Sequence, residues 1–507
     1  MSFPKNALSG ASLALVAILF APLAARAADK TVLRPMFDLE QGWDSNIYND
    51  SGGDEASLVT RFSPGLWIEN SGELGFARLG VSLTGRSVWE ESNLSGIDSG
   101  ARGDFERKLT PRLSLFGNGY VDYYSGYEEI SEGAGTGSPG EVLLSEQPSW
   151  ARNQLGTGLR YLLTPRTSFR LSGSAGRVNY EHVDPGELNE DNQLIYSSTG
   201  DYRDRNLWSL RAGLDHQLSA RDKLSLSVDG DDSAYQDVGF GTNDSQIWKA
   251  ELSWDRNWSP VWSTELSLGA STTDARRDDV PQFGGIGYIA VCVIFGIPFP
   301  CPQQSQVALD QTSFSGSSSG VVGSFAITRT FERSLIRLGY SRDTQSTGGS
   351  GRTNFDIDSF TLSLTHRLAE RVKLSISGNY ALQTSVSDEL PAYSATVIPS
   401  LTEPTRFECR AGGSAQIVGT VPHPQDPLDL IPVYQCFGGS SEEDRTYTIL
   451  TARLDWQMRK QLNAFVVGRY YHSTKDQSLG SGEEIETEDF DKITLGVGLR
   501  CAWDVGL

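Results

Sequence analysis

Beyond its N-terminal segment, the 507-residue chain has no apolar run of the ~20 residues that a membrane helix needs. Mean hydropathy is −0.32, which excludes a helical membrane protein and leaves a soluble protein or a β-barrel. Histidine is scarce. His182, His216, His366, His423 and His472 are the five, and none stands two or four residues from another, so no zinc spacing exists. G-x-S-x-G and the P-loop are both missing. Gly133, Gly135 and Gly137 lack the strand–helix setting of a phosphate cradle. A barrel hydrolase would need serine, histidine and an acid at one rim, and no motif anchors such a set. The expectation is no enzyme, with no catalytic residue, cofactor or metal site. Cations are also in deficit: 43 Lys and Arg face 64 Asp and Glu, a net charge of −21. That balance excludes nucleic acid as a partner and disfavours adhesion to anionic lipid.

What is present begins with a leader. Lys5 precedes an apolar run over Leu13–Leu23, and Ala25-Arg26-Ala27 offers an Ala-x-Ala cleavage site. This reads as a secretory signal peptide over residues 1–27. Loss of Lys5 and Arg26 with it takes the mature charge to −23. In an exported chain, cysteines close in sequence are disulfide candidates. Cys292 with Cys301 and Cys409 with Cys436 form two such sets. Cys501 shares a face with Ile493, Leu495, Val497 and Leu499 and is expected to pack as a small apolar side chain.

The dominant pattern is alternation with period two along the whole mature length. In Val372–Gln383, Val372, Leu374, Ile376, Tyr380 and Leu382 face one way, while Lys373, Ser375, Ser377, Asn379 and Gln383 face the other. Short turns centre on Thr110-Pro111, Thr164-Pro165, Ala220-Arg221, Ser259-Pro260, Glu332-Arg333 and Glu370-Arg371, with two more at Asn70–Gly72 and Arg459–Gln461. Between them run long polar connections, the largest near 126–148, 182–201, 275–315 and 387–444. Eight turns alternating with nine loops imply eighteen strands. In hydrocarbon an unpaired backbone group costs several kcal/mol, so a spanning sheet must close on itself. The predicted fold is all-β: one transmembrane antiparallel up-and-down barrel over residues 28–507, with short periplasmic turns and long extracellular loops. Its place is the bacterial outer membrane, among lipid and lipopolysaccharide. Trp67, Trp89, Trp150, Trp208, Trp248, Trp254, Trp258, Trp262, Trp456 and Trp503 suit the two interfaces.

An eighteen-strand barrel encloses an aqueous lumen unless loops fill it. The alternation assigns Arg78, Arg86, Arg211, Asp215, Asp229, Glu251, Glu265, Arg337 and Arg453 to the lumen lining. A mixed-charge, hydroxyl-rich lining suits a hydrated or sugar-like solute. Asp229, Asp231, Asp232 and Asp237 could bind calcium, although they miss the EF-hand spacing; a solvated acidic run is the alternative. Ile286–Phe299 is apolar yet falls in an external loop. It, or Ser387–Asp444, either folds into the barrel mouth or forms a disulfide-stapled surface loop.

The segments FDLEQGWDSNIYND, VTRFSPGLWIENSGELGFARLGVSL and FERKLTPRLSLFGNGYVDYYS carry a resemblance. The chain resembles the outer-membrane β-barrel porin family associated with exopolysaccharide export and PEP-CTERM systems. The matching residues are Gly42, Trp43, Asp44, Ser45 and Asn46, then Ser63, Pro64, Gly65 and Leu66, and the likeness covers about the first 180 residues. It implies a channel for an exopolysaccharide, with the polysaccharide and periplasmic export components as partners. Two other roles fit the same barrel: a general or solute-specific porin, and a structural barrel sheathing a periplasmic partner such as an electron-transfer cytochrome. The chain has no C-x-x-C-H, so any haem would belong to that partner.

Overall fold

The computed structural model describes residues 30–47, 55–89, 94–125, 149–180, 204–235, 242–278, 314–346, 354–385, 396–397, 414–422, 430–437, 441–479 and 484–506. The strands are β1 Lys30–Asp44, β2 Ser57–Gly72, β3 Gly75–Val88, β4 Gly96–Thr110, β5 Leu113–Tyr124, β6 Trp150–Thr164, β7 Thr167–Tyr180 and β8 Arg205–Gln217. They continue with β9 Asp222–Tyr235, β10 Thr242–Ser259, β11 Trp262–Asp278, β12 Phe314–Thr330, β13 Ser334–Ser346, β14 Asn354–Ala369 and β15 Val372–Ser385. Three short strands follow, β16 Thr396–Val397, β17 Ser414–Pro422 and β18 Leu430–Phe437. The chain ends with β19 Ser441–Arg459, β20 Leu462–Leu479, β21 Glu484–Ala502 and the two-residue β22 Val505–Gly506.

Each strand from β1 to β15 pairs antiparallel with the next, β15 pairs with β19, and β19, β20 and β21 follow in turn. β21 returns to β1 from Met36↔Ala502 to Asp44↔Thr494, and β22 extends that seam at Leu33↔Val505. The result is a closed barrel of eighteen long strands, as the alternation predicts. β16–β18 form a separate three-stranded sheet inside the connection predicted as one long loop. The side chains of Cys292, Cys301, Cys409 and Cys436, expected to form disulfides, lie outside those described, as do residues 1–27, expected to be a signal peptide, and the segment 286–299.

The short turns owe their form to hydroxyls. Thr110 Oγ1 accepts from the backbone N–H of Arg112 and Leu113 (3.2 and 3.0 Å). Thr164 does the same for Arg166 (3.2 Å), Ser219 for Arg221 and Asp222 (both 3.0 Å), and Ser259 for Val261 and Trp262 (3.3 and 3.2 Å). A hydroxyl that captures these amides closes the turn, and after Thr110, Thr164 and Ser259 a proline also fixes φ. A register shift sits beside five of the turns, at Lys108/Thr110, Leu162/Thr164, Asn257/Ser259, Arg367/Ala369 and Gln457/Arg459. Each adds the local twist of a bulge. The first hairpin turns at Glu73-Leu74, just beyond the predicted Asn70–Gly72. Gly75 leaves that turn at φ +150°, and a Cβ there would stand 1.9 Å from the Glu106 carbonyl oxygen, so only glycine fits.

One face of the wall is apolar and uncovered. Leu268 is 66 % exposed, Val321 62 % and Leu495 55 %. Exposure on that scale exceeds what a soluble protein leaves in water. On β10, Trp248 and Trp258 bound this band, with Leu252 between them. Ten residues span about 33 Å of strand, or about 25 Å of depth at the usual tilt, which is the height of an outer-membrane apolar band. Tyr340, Phe360 and Tyr380 continue the belt across β13–β15, with ring centroids 4.9 and 6.4 Å apart. The chain is an outer-membrane β-barrel, and its short turns mark the periplasmic rim.

Candidate functional site: the inner face of the barrel

The other face of the wall, opposite the apolar band, carries charged side chains that meet one another. Glu265 on β11 takes two hydrogen bonds from Arg337 on β13, at 3.0 and 2.7 Å, across β12, where small Ala326 lies between them. Lys249 on β10 reaches Asp343 on β13 at 2.5 Å. Three strand spacings of a flat sheet measure about 14 Å, beyond the reach of two side chains, so such contacts form only on the concave side.

The nine residues predicted to line the lumen lie on this face, and every one has a polar partner. Arg211 with Asp229 and Glu265 with Arg337 pair among themselves. Arg78 binds Asp104 at 2.9 Å. Arg86 binds Asp98 and the Ser125 hydroxyl, each at 3.1 Å, and is almost wholly buried. Asp215 accepts from Ser225 at 2.7 Å and lies 3.2 Å from Lys223. Glu251 accepts from Ser253 at 3.1 Å. Arg453 binds Asp455 at 2.9 Å above the Phe465 ring. Asp237 lies outside the described residues, and Asp232 alternates to the opposite face from Asp229 and Asp231, so the described members of the predicted calcium set do not converge.

Between β5 and β8 uncharged groups link the wall. Tyr120 donates its hydroxyl to Gln154 (2.7 Å), Gln154 donates to Ser174 (2.8 Å), and Ser174 shares a hydrogen bond with Ser209 (2.7 Å). Two tryptophans predicted for the membrane interfaces are on this side as well. A Cβ on Gly80 would meet the Trp67 ring at 2.6 Å, and Arg78 lies over that ring at 5.1 Å. Trp150 stacks on Tyr124 at 4.3 Å. Strand parity, rather than residue type, decides their direction.

The GWDSN segment is a clasp between the first and last long strands. Asp44 pairs with Lys492 at 2.9 Å, both side chains nearly fully buried. Ser45 exchanges two hydrogen bonds with the Ile493 backbone, at 3.0 and 2.8 Å. Asn46 donates through Nδ2 to the Asp491 carbonyl at 3.4 Å. At the periplasmic end of the same seam Arg34 donates to Asp504 at 2.6 Å, and this bond holds the Asp504 carboxyl below the ordinary carboxylate range. In SPGL, the β2–β3 ladder skips Ser63 and Pro64, as expected where a residue lacks an N–H. Cys501 is a buried free thiol on the outward-facing side of β21.

At the extracellular end the wall overlaps itself. β12 pairs with β11 up to Phe314, but with β13 only up to Gly323↔Arg342. β13 runs on with β14 to Ser346↔Asn354. There Thr344 shares a hydrogen bond with Ser271 of β11 at 3.0 Å and donates to Asp356 of β14 at 2.8 Å. The tip of β13–β14 therefore lies against the inner side of β11–β12.

The chain matches no protein-family model and no curated protein. Among solved structures it is similar to the siderophore receptor PirA from Acinetobacter baumannii, at 9% identity and TM-score 0.44 over 94% of this chain and 81% of that one. It is also similar to the ferric-catecholate import receptor Fiu from E. coli K12, at 8% identity and TM-score 0.41 over 92% and 81%. The alcaligin outer-membrane receptor FauA from Bordetella pertussis gives 9% identity and TM-score 0.39 over 93% and 76%. The barrel assignment rests on its own closed ladder and apolar exterior.

Proposed function

We propose that this outer-membrane barrel is a channel through which an exopolysaccharide leaves the cell. The observation that carries this reading is the concave wall, where hydroxyls and amides link β5 to β8 and Arg211 pairs with Asp229 beside them. Barrels of sixteen to eighteen strands are wide enough to hold a water channel. A sugar chain exchanges hydrogen bonds with such a wall at little cost, because each hydroxyl lost to water is replaced. Paired charges give the wall polarity without the deep wells that would trap a passing solute. The resemblance of the GWDSN, SPGL and LTPR segments to export-associated porins supports the same reading.

Deletion of the gene tests it, scored by polysaccharide in the medium against polysaccharide held in the periplasm. Export should fall while synthesis continues. Normal secretion, accompanied by slower uptake of small solutes, would instead establish a general porin.

A further inference from the structure

The inner face of β5 carries an aromatic at every fourth residue: Phe116, Tyr120 and Tyr124. Eight residues of strand run about 26 Å, or about 20 Å of depth at the usual tilt, so the three rings climb about two-thirds of the apolar thickness. Two arginines stand over this ladder. Arg170 lies 5.8 Å from the Phe116 centroid, and Arg152 lies 5.3 Å from that of Tyr120. They differ from their neighbours. Arg78, Arg160 and Arg211 each have a carboxylate partner, at 2.9 Å for Arg78 and 3.7 Å for Arg160. Arg152 faces Asp122 across the β5–β6 ladder and Arg170 feels the charge of Asp215, but neither arginine has a carboxylate within 4 Å among the described residues, and the Nε atom of each is buried without a hydrogen-bond partner.

We propose that Phe116, Tyr120 and Tyr124, with Arg152 and Arg170, form a track for an acidic sugar polymer. This rests on the export reading and names its substrate class. Ring faces accept the apolar C–H faces of pyranoses, as they accept any flat partner of partly apolar character. A guanidinium over a ring is held in place by cation–π attraction and keeps its donors for a planar carboxylate. The Tyr120–Gln154–Ser174 chain beside it offers partners for sugar hydroxyls. A neutral polymer would use the rings and hydroxyls and leave both cations without a contacting counter-charge. An acidic one neutralises them in passing.

The experiment uses the full-length barrel in planar bilayers, with oligogalacturonate and a malto-oligosaccharide of equal length as probes. Binding of both is also read from tryptophan fluorescence in detergent, which does not require an open pore. Retained heat-modifiable gel mobility shows that each variant is folded. The acidic oligomer should bind about tenfold more tightly, the scale of a pair of partly desolvated charge contacts. Arg152→Gln with Arg170→Gln should remove that advantage and leave the neutral sugar unchanged. Phe116→Leu with Tyr120→Leu should weaken both sugars. Equal binding of the two sugars to the unaltered barrel would overturn the acidic assignment and leave the export reading standing. An advantage that survives loss of both arginines would overturn the track. A single-stranded oligonucleotide bound as tightly as the acidic sugar would also overturn the sugar assignment. Binding of no sugar in either measurement would overturn both readings.

Discussion

Lys492 is 2 % exposed and its counter-ion Asp44 is scarcely more open, yet the two residues stand at opposite ends of the chain. Removing one charge from such a pair leaves the other buried and uncompensated, which costs about 3–5 kcal/mol. Lys492→Ala should therefore lower the unfolding midpoint strongly, as read from heat-modifiable gel mobility. Lys492→Met combined with Asp44→Asn should recover most of the loss. No charge then remains in the pair, and the amide oxygen introduced in place of the carboxylate would still accept from the Asn46 backbone N–H. This role of Asp44 is not legible in the sequence. The GWDSN residues stand out as a motif, but their partners lie some 450 residues away, and no local pattern encodes that pairing. The strand face of each predicted lumen residue is legible because alternation fixes it from the immediate neighbours. Trp67 and Trp150 depart from expectation for the converse reason: the parity of their strands overrides the preference of tryptophan for interfaces.

The short hairpins are where local chemistry suffices. A threonine or serine directly before proline marks Thr110, Thr164 and Ser259, and the structure gives each the same task of capturing turn amides. Thr110→Val keeps the shape and removes the acceptor. It should cost about 0.5–1.5 kcal/mol, the net worth of a neutral hydrogen bond, in urea unfolding of the refolded barrel. The overlap at β12–β13 is the opposite case. β12 reads as an ordinary alternating strand, and nothing in it announces that β13 leaves its ladder at Arg342. That departure becomes visible only through contacts between strands that are not neighbours. With the hydroxyls of Ser271 and Thr344 only 3.0 Å apart, Ser271→Cys with Thr344→Cys should form a disulfide on mild oxidation. Two cysteines in strands separated by a third would otherwise stay reduced, so a free-thiol count after oxidation decides the matter.

At the scale of the whole molecule, two solvents set opposite demands on successive residues of every strand. Leu252 faces outward, 54 % exposed, about midway between the belt residues Trp248 and Trp258. Ser253, the next residue, faces inward and donates to Glu251. A lysine at the lipid midplane costs about 2–4 kcal/mol, and one at the interface about 0–1. Leu252→Lys should therefore destabilise the barrel by the larger amount and Trp258→Lys, in the charge term, by the smaller. Ser253→Lys should scarcely change stability, since its ammonium meets Glu251 on the polar side, and it should shift ion selectivity toward anions instead. Unfolding in lipid vesicles and reversal potentials in a salt gradient separate these outcomes. A stable Leu252→Lys variant beside an unfolded Ser253→Lys would mean that the whole strand is turned over, because a shift of one residue exchanges its faces.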